Sequence, residues 1–104
     1  MPRLVIRPEA EADVSEAAGW YEDQWRGLGT EFVEAVDRAL EAIAEEPLRH
    51  PRAWAAVRRA LTRRFPYAIF YLFENDVVTV LAVLHTSRRP GTWGRRRPPR
   101  AWPG

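Results

Sequence analysis

The sequence predicts a small α+β domain ordered β-α-α-β-β-β, a helical hairpin packed on a small, mainly antiparallel sheet. Two patterns carry that expectation. Between residues 10 and 43 apolar residues recur at three- and four-residue steps, the period of an amphipathic helix. Between 57 and 85 the chain changes to runs rich in Val, Ile, Phe and Tyr, which suit a pleated, half-buried surface. Length sets the bound: 104 residues hold one core, with no room for separate catalytic and cofactor domains, so a dinucleotide enzyme is not expected.

Leu4-Val5-Ile6 reads as a short strand stopped by Pro8. From Ala10 a helix carries Val14, Ala17, Ala18, Tyr21, Trp25 and Leu28 on one apolar stripe, with Asp13 and Glu16 at capping-box spacing. Tyr21 and Trp25 are expected in the core; Trp20 lies off the stripe, open to a contact role. Gly27 and Gly29 end the helix, since glycine readily takes the left-handed conformation of a helix terminus. Thr30 is then the expected cap of a second helix with Phe32, Val36, Ala39, Leu40 and Ile43 on one face, stopped by Pro47. The short connection from Arg26 to Thr30 makes the two helices an antiparallel hairpin.

Residues 48–56 read as a plain connection, followed by strands at 57–64, 67–74 and 77–85. Asn75-Asp76 suits a two-residue hairpin turn because both residues tolerate positive φ. That turn sets Phe73 beside Val78, Tyr71 beside Val80, Ile69 beside Ala82 and Pro66 beside His85, with Arg64 near Ser87. The last strand, VVTVLAVLH, is apolar on both faces. It is therefore expected in a central position, covered by the helices on one side and by the tail or a partner on the other.

A net charge of +2 hides an asymmetry: residues 1–46 hold twelve acids and four arginines, residues 47–104 two acids and twelve arginines. There is no Lys, and the arginine fork favours phosphate, carboxylate or stacked bases. The acids are expected on the wet faces of the helices. The arginines gather at the two ends of the strand region, a cationic rim that calls for an anionic partner. With no Cys and two His, neither a disulfide, a thiolate nucleophile nor a metal centre is expected, and no organic cofactor is implied. No stretch of ~18 uncharged apolar residues occurs, so a membrane span and a signal peptide are not expected and the location is read as cytoplasmic. Residues 94–104, GRRRPPRAWPG, are Pro-, Arg- and Trp-rich and are expected to form a mobile basic tail after a domain at 1–93.

Several local patterns occur together: Ala18-x-Trp20-Tyr21-Glu22-x-Gln24, Gly27-Leu28-Gly29, Pro47, Arg64-Phe65-Pro66-Tyr67-Ala68-Ile69-x-Tyr71, and His85-x-x-Arg88-x-Pro90-x-x-Trp93. In this order and spacing the chain resembles the RelE/ParE superfamily of type II toxin–antitoxin toxins, closer to its ParE-like branch. The resemblance implies a toxin held inactive in a hetero-oligomer with a cognate antitoxin encoded beside it. In the ParE-like branch the implied target is DNA gyrase; in the RelE-like branch the toxin is an endonuclease that cuts mRNA on the ribosome.

Chemistry separates the branches. Cutting RNA at a 2′-hydroxyl needs a base, an acid and cations for the charge that develops on phosphate. Here the matching strand centre is Ala68-Ile69-Phe70, without a cation, and Thr86 and Ser87 follow His85 with no Tyr beyond. The reading is therefore a gyrase inhibitor that acts by binding, with no committed catalytic residue. Target or antitoxin binding is assigned to Arg58, Arg59, Arg63, Arg64, Tyr67, His85, Arg88, Arg89 and Trp93. The alternatives are an endonuclease using His85, Arg64 and Arg88, and an antitoxin-binding module that has lost toxicity. For His85 itself the simpler role is to end a strand and hydrogen-bond a loop carbonyl.

Overall fold

The computed structural model describes residues 1–87. They form β1 (Arg3–Ile6), α1 (Pro8–Gln24), α2 (Leu28–Glu45), β2 (Arg52–Trp54), β3 (Val57–Leu61), β4 (Tyr67–Glu74) and β5 (Val77–His85). The sheet has the order β1-β5-β4-β3-β2, with β1 parallel to β5 and the other neighbours antiparallel. The α+β expectation holds, and β5 is an inner strand as its apolar faces implied.

Pro8 does more than stop β1: it is the first residue of α1, where its fixed φ and missing N–H cost nothing. Asp13 and Glu16 consequently lie inside the helix and do not cap it. Ala17 is buried and Val14, Ala18 and Tyr21 pack against the core, whereas Trp25 is 73% exposed. The stripe loses Trp25 because α1 ends at Gln24 and Trp25 is extended.

Gly27, at φ 88°, supplies the left-handed turn that opens α2. Thr30 is not the cap; it lies exposed in the first turn of the helix. The capping acceptor comes from the other helix. The carboxylate of Glu22 accepts from the backbone N–H groups of Gly27 at 2.9 Å and Gly29 at 3.0 Å, placing negative charge at a helix N-terminus. Gly29 ends nothing: it lies buried within α2 where a β-carbon would sit 2.6 Å from the Ala18 carbonyl oxygen. The α2 face is as expected, with Phe32, Val36, Leu40 and Ile43 buried.

The connection at 48–56 is not plain, because Arg52–Trp54 pairs with β3 through an irregular turn containing Ala55 at φ 49°. Three residues are too few to leave a periodic signal. β3 ends at Leu61, short of the expected 64. There Thr62 Oγ1 turns the chain, lying 2.8 Å from the Phe65 carbonyl and 3.2 Å from that of Tyr67.

Asn75 and Asp76 take φ 52° and 59°, as the two-residue turn requires, and Phe73↔Val78 and Tyr71↔Val80 pair as expected. Beyond them a bulge on β5 passes over Leu81, so Phe70 pairs with Ala82, Ile69 with Val83 and Tyr67 with His85. The expected pairs Ile69 with Ala82 and Pro66 with His85 are each one residue out. Val78, Val80 and Val83 join the cluster under the helices, while Leu81, Ala82 and Leu84 join Val57 and Leu72 in a second cluster on the opposite face. Both phases are apolar, so hydrophobicity could not reveal the slip. The tail proposed as a cover for that second face lies outside the described residues.

Candidate functional site

The bulge decides where His85 points. With uninterrupted alternation after Val80 it would face away from the helices; with one residue inserted it shares the helix side with Val83 and Tyr67. The His85 and Tyr67 rings meet edge to face at 5.4 Å. His85 ends its strand, but its loop partner is an amide and not the expected carbonyl: Nδ1 accepts from the Ser87 N–H at 3.0 Å, which leaves Nε2 to carry the proton of the neutral ring.

His85 and Tyr67 line a groove of about 540 Å³ between α1 and the end of β5. Its α1 wall is Asp13, Glu16, Ala17 and Trp20, spaced to fall on one helix stripe, with Tyr21 beside them. β1 ends opposite Val80, so among the described residues no strand covers the outer edge of β5 beyond that point. The Asp13 carboxylate takes the place of a strand there, accepting from the Val83 N–H at 2.9 Å. The floor is the aromatic core: Tyr21 packs on Phe32 at 5.2 Å and Phe65 at 4.9 Å, and Tyr67 on Phe32 at 4.9 Å. Burial, with the neighbouring Tyr67, pushes the Tyr21 hydroxyl pKa up, so it stays a neutral phenol.

The arginines assigned to one rim separate in space. Arg58 turns to the helix side and donates to the carbonyls of His50 at 2.7 Å and Leu48 at 3.3 Å, clamping the chain after α2. Arg59 faces the opposite side beside Phe70. On that side Trp54 is 39% and Leu61 58% exposed, which makes the surface around Arg59 both cationic and apolar. Arg63 is exposed in the loop after β3. Arg64, at φ 71°, pairs with Glu31 at 2.8 Å and lies over the Phe65 ring at 5.4 Å. Arg88, Arg89 and Trp93 lie outside the described residues.

The nuclease set is thus not assembled among the described residues: Arg64 is engaged by an α2 acid and does not line the groove of His85. Nor do those residues contain a group of three His, Asp or Glu side chains placed to hold a metal, or a helix long and apolar enough to cross a membrane. Sequence reasoning left Trp20 open to a contact role, and it does line the groove at 59% exposure, but Asp13 and Glu16 were missed as groove residues although their spacing to Trp20 was a visible signal. It also missed His50, whose Nε2 is buried without a partner near Arg58 and the Tyr71 ring. Burial, reinforced by Arg49 and opposed by Glu46, lowers the His50 pKa.

Comparison with known proteins agrees with this geometry. The family described as the ParE toxin of the type II toxin-antitoxin system, parDE, matches residues 4–90. The chromosomal ParDE system from P. aeruginosa aligns at 16% identity with a TM-score of 0.61, covering 82% of this chain and 96% of that one. The intact E. coli RelBE toxin–antitoxin complex aligns at 20% identity with a TM-score of 0.60, covering 85% and 100%. The RelBE2 complex from Mycobacterium tuberculosis aligns at 21% identity with a TM-score of 0.55, covering 82% and 99%. No curated protein matched.

Proposed function

The chain belongs to the ParE toxin family of type II toxin–antitoxin systems, and from that premise we propose that it inhibits DNA gyrase by binding and is neutralised by a cognate antitoxin. One observation carries the choice of binding over bond-breaking. The groove around His85 presents the carboxylates of Asp13 and Glu16 and none of the described arginines. Carboxylates repel the scissile phosphate that a ribonuclease must draw in and stabilise. The surface suited to a macromolecule lies across the sheet, where Arg59 sits among Trp54, Leu61 and Phe70, with Arg63 in the adjoining loop. Aromatic and arginine side chains of that kind dominate protein interfaces.

A gyrase supercoiling and DNA-cleavage assay run beside a ribosome-dependent mRNA-cleavage assay tests the reading. Arg59→Glu and Arg63→Glu should abolish the effect on gyrase, since a like charge in a complementary interface costs several kcal/mol, on the order of a 100-fold or greater loss of affinity. His85→Ala should leave that effect in place. Messenger cleavage that falls ~100-fold or more in His85→Ala, with gyrase unaffected by the parent protein, is the signature of an acid–base nuclease and would overturn the proposal.

A further inference from the structure

Resting on the toxin reading above, we propose that the groove between α1 and the outer edge of β5 receives an arginine or lysine side chain from the antitoxin. The segment that delivers it lies beside α1 and the outer edge of β5, where among the described residues the Asp13 carboxylate and no strand meets the backbone beyond Val80. Three features converge on a cation. Among the described residues, the carboxylates of Asp13 and Glu16 line the groove and no arginine does. Its aromatic walls are Trp20, Tyr21 and Tyr67, whose ring faces attract cations. Trp20, a large apolar residue left 59% exposed, stands one helical turn from Glu16, so a cation paired with that carboxylate lies within reach of the indole.

Asp13 has a structural duty on the Val83 amide, but Glu16 has no hydrogen-bond or ion-pair partner among the described residues. Charge complementarity makes this groove the counterpart of the basic–apolar face across the sheet. The antitoxin is thereby required to present a base to α1 and acids to Arg59 and Arg63. A partner lacking the base leaves Glu16 facing an apolar contact, so the groove discriminates between cognate and non-cognate antitoxins.

The test uses the full chain and the protein encoded by the adjoining reading frame, with binding measured by calorimetry. Glu16→Lys and Trp20→Ala change exposed side chains, so their melting temperatures should match the parent. Each should weaken antitoxin binding on the order of tenfold or more. Alanine scanning of the antitoxin's Arg and Lys residues should then find one whose loss weakens binding to the parent but not to Glu16→Gln, the coupling expected of a direct pair. Parent-like affinity of both toxin variants, or no antitoxin base coupled to Glu16, overturns this proposal and leaves the toxin reading intact. So does a change confined to self-association by ultracentrifugation, which would seat a second copy in the groove. A partner that fails to bind even the parent overturns both.

Discussion

Replacing Gly29 by alanine tests the close approach on which the helical hairpin depends. The new methyl would stand 2.6 Å from the Ala18 carbonyl oxygen and 3.0 Å from Glu22 Oε1. The first neighbour is backbone and cannot rotate away, so the helices must separate; overpacking of this kind costs about 1–3 kcal/mol. Separation also strains the Glu22 hydrogen bonds to Gly27 and Gly29, charge-assisted contacts worth about 1.5–3 kcal/mol each. Alanine returns about 1 kcal/mol in helix propensity. The net loss is therefore about 2–4 kcal/mol, and at ~4–8 °C per kcal/mol for a domain of this size the melting temperature should fall by roughly 10–30 °C. Gly19→Ala is the control: it is exposed in α1 with nothing within 4 Å of its β-carbon, so it should gain about 0.5–1 kcal/mol. Thermal unfolding followed by circular dichroism measures both. Coincident melts for the two variants would show that α1 and α2 do not approach as described.

Ile43→Ala removes a fully buried side chain and should cost about 2–5 kcal/mol in a denaturant titration; a parent-like midpoint would mean that the α2 face is rotated. Tyr71→Phe deletes the hydroxyl that donates to the Pro47 carbonyl at 2.5 Å and should cost about 1 kcal/mol, leaving that oxygen to find water. For His50 the folded pKa lies below its ordinary value, so protonation favours the unfolded chain. Its contribution is present above about pH 6.5 and is lost as pH falls below it, so stability should drop more steeply between about pH 7 and pH 5 in the parent than in His50→Asn. Antitoxin association should slow markedly as salt rises from low to molar levels, measured by stopped flow; an unresponsive rate would remove the electrostatic part of the interface.

Local chemistry already determined much of this protein. The α2 stripe, the Asn75-Asp76 turn and the limits of β4 and β5 follow from short-range rules, because side-chain period and turn φ are properties of a few neighbouring residues. The same residues carried the family likeness, and the structure gives their reasons: Tyr21, Phe65 and Tyr67 build the aromatic core, Glu22 caps α2, and Gly29 admits Ala18. What waited for the tertiary structure is what depends on residues distant in sequence. Thr30 was an adequate local cap, yet a carboxylate from the other helix took its place. The bulge at Leu81 was invisible because both faces of β5 are buried, and it alone turned His85 toward Asp13 and Glu16. Strand alternation already set Arg58 and Arg59 on opposite faces, but only packing decided which face meets the helices, where Arg58 reaches the His50 carbonyl, and only a long-range ion pair engaged Arg64. Sequence assigned the charges to elements; only the packing of those elements decided which charges face each other, since electrostatic neighbours are set by distance in space.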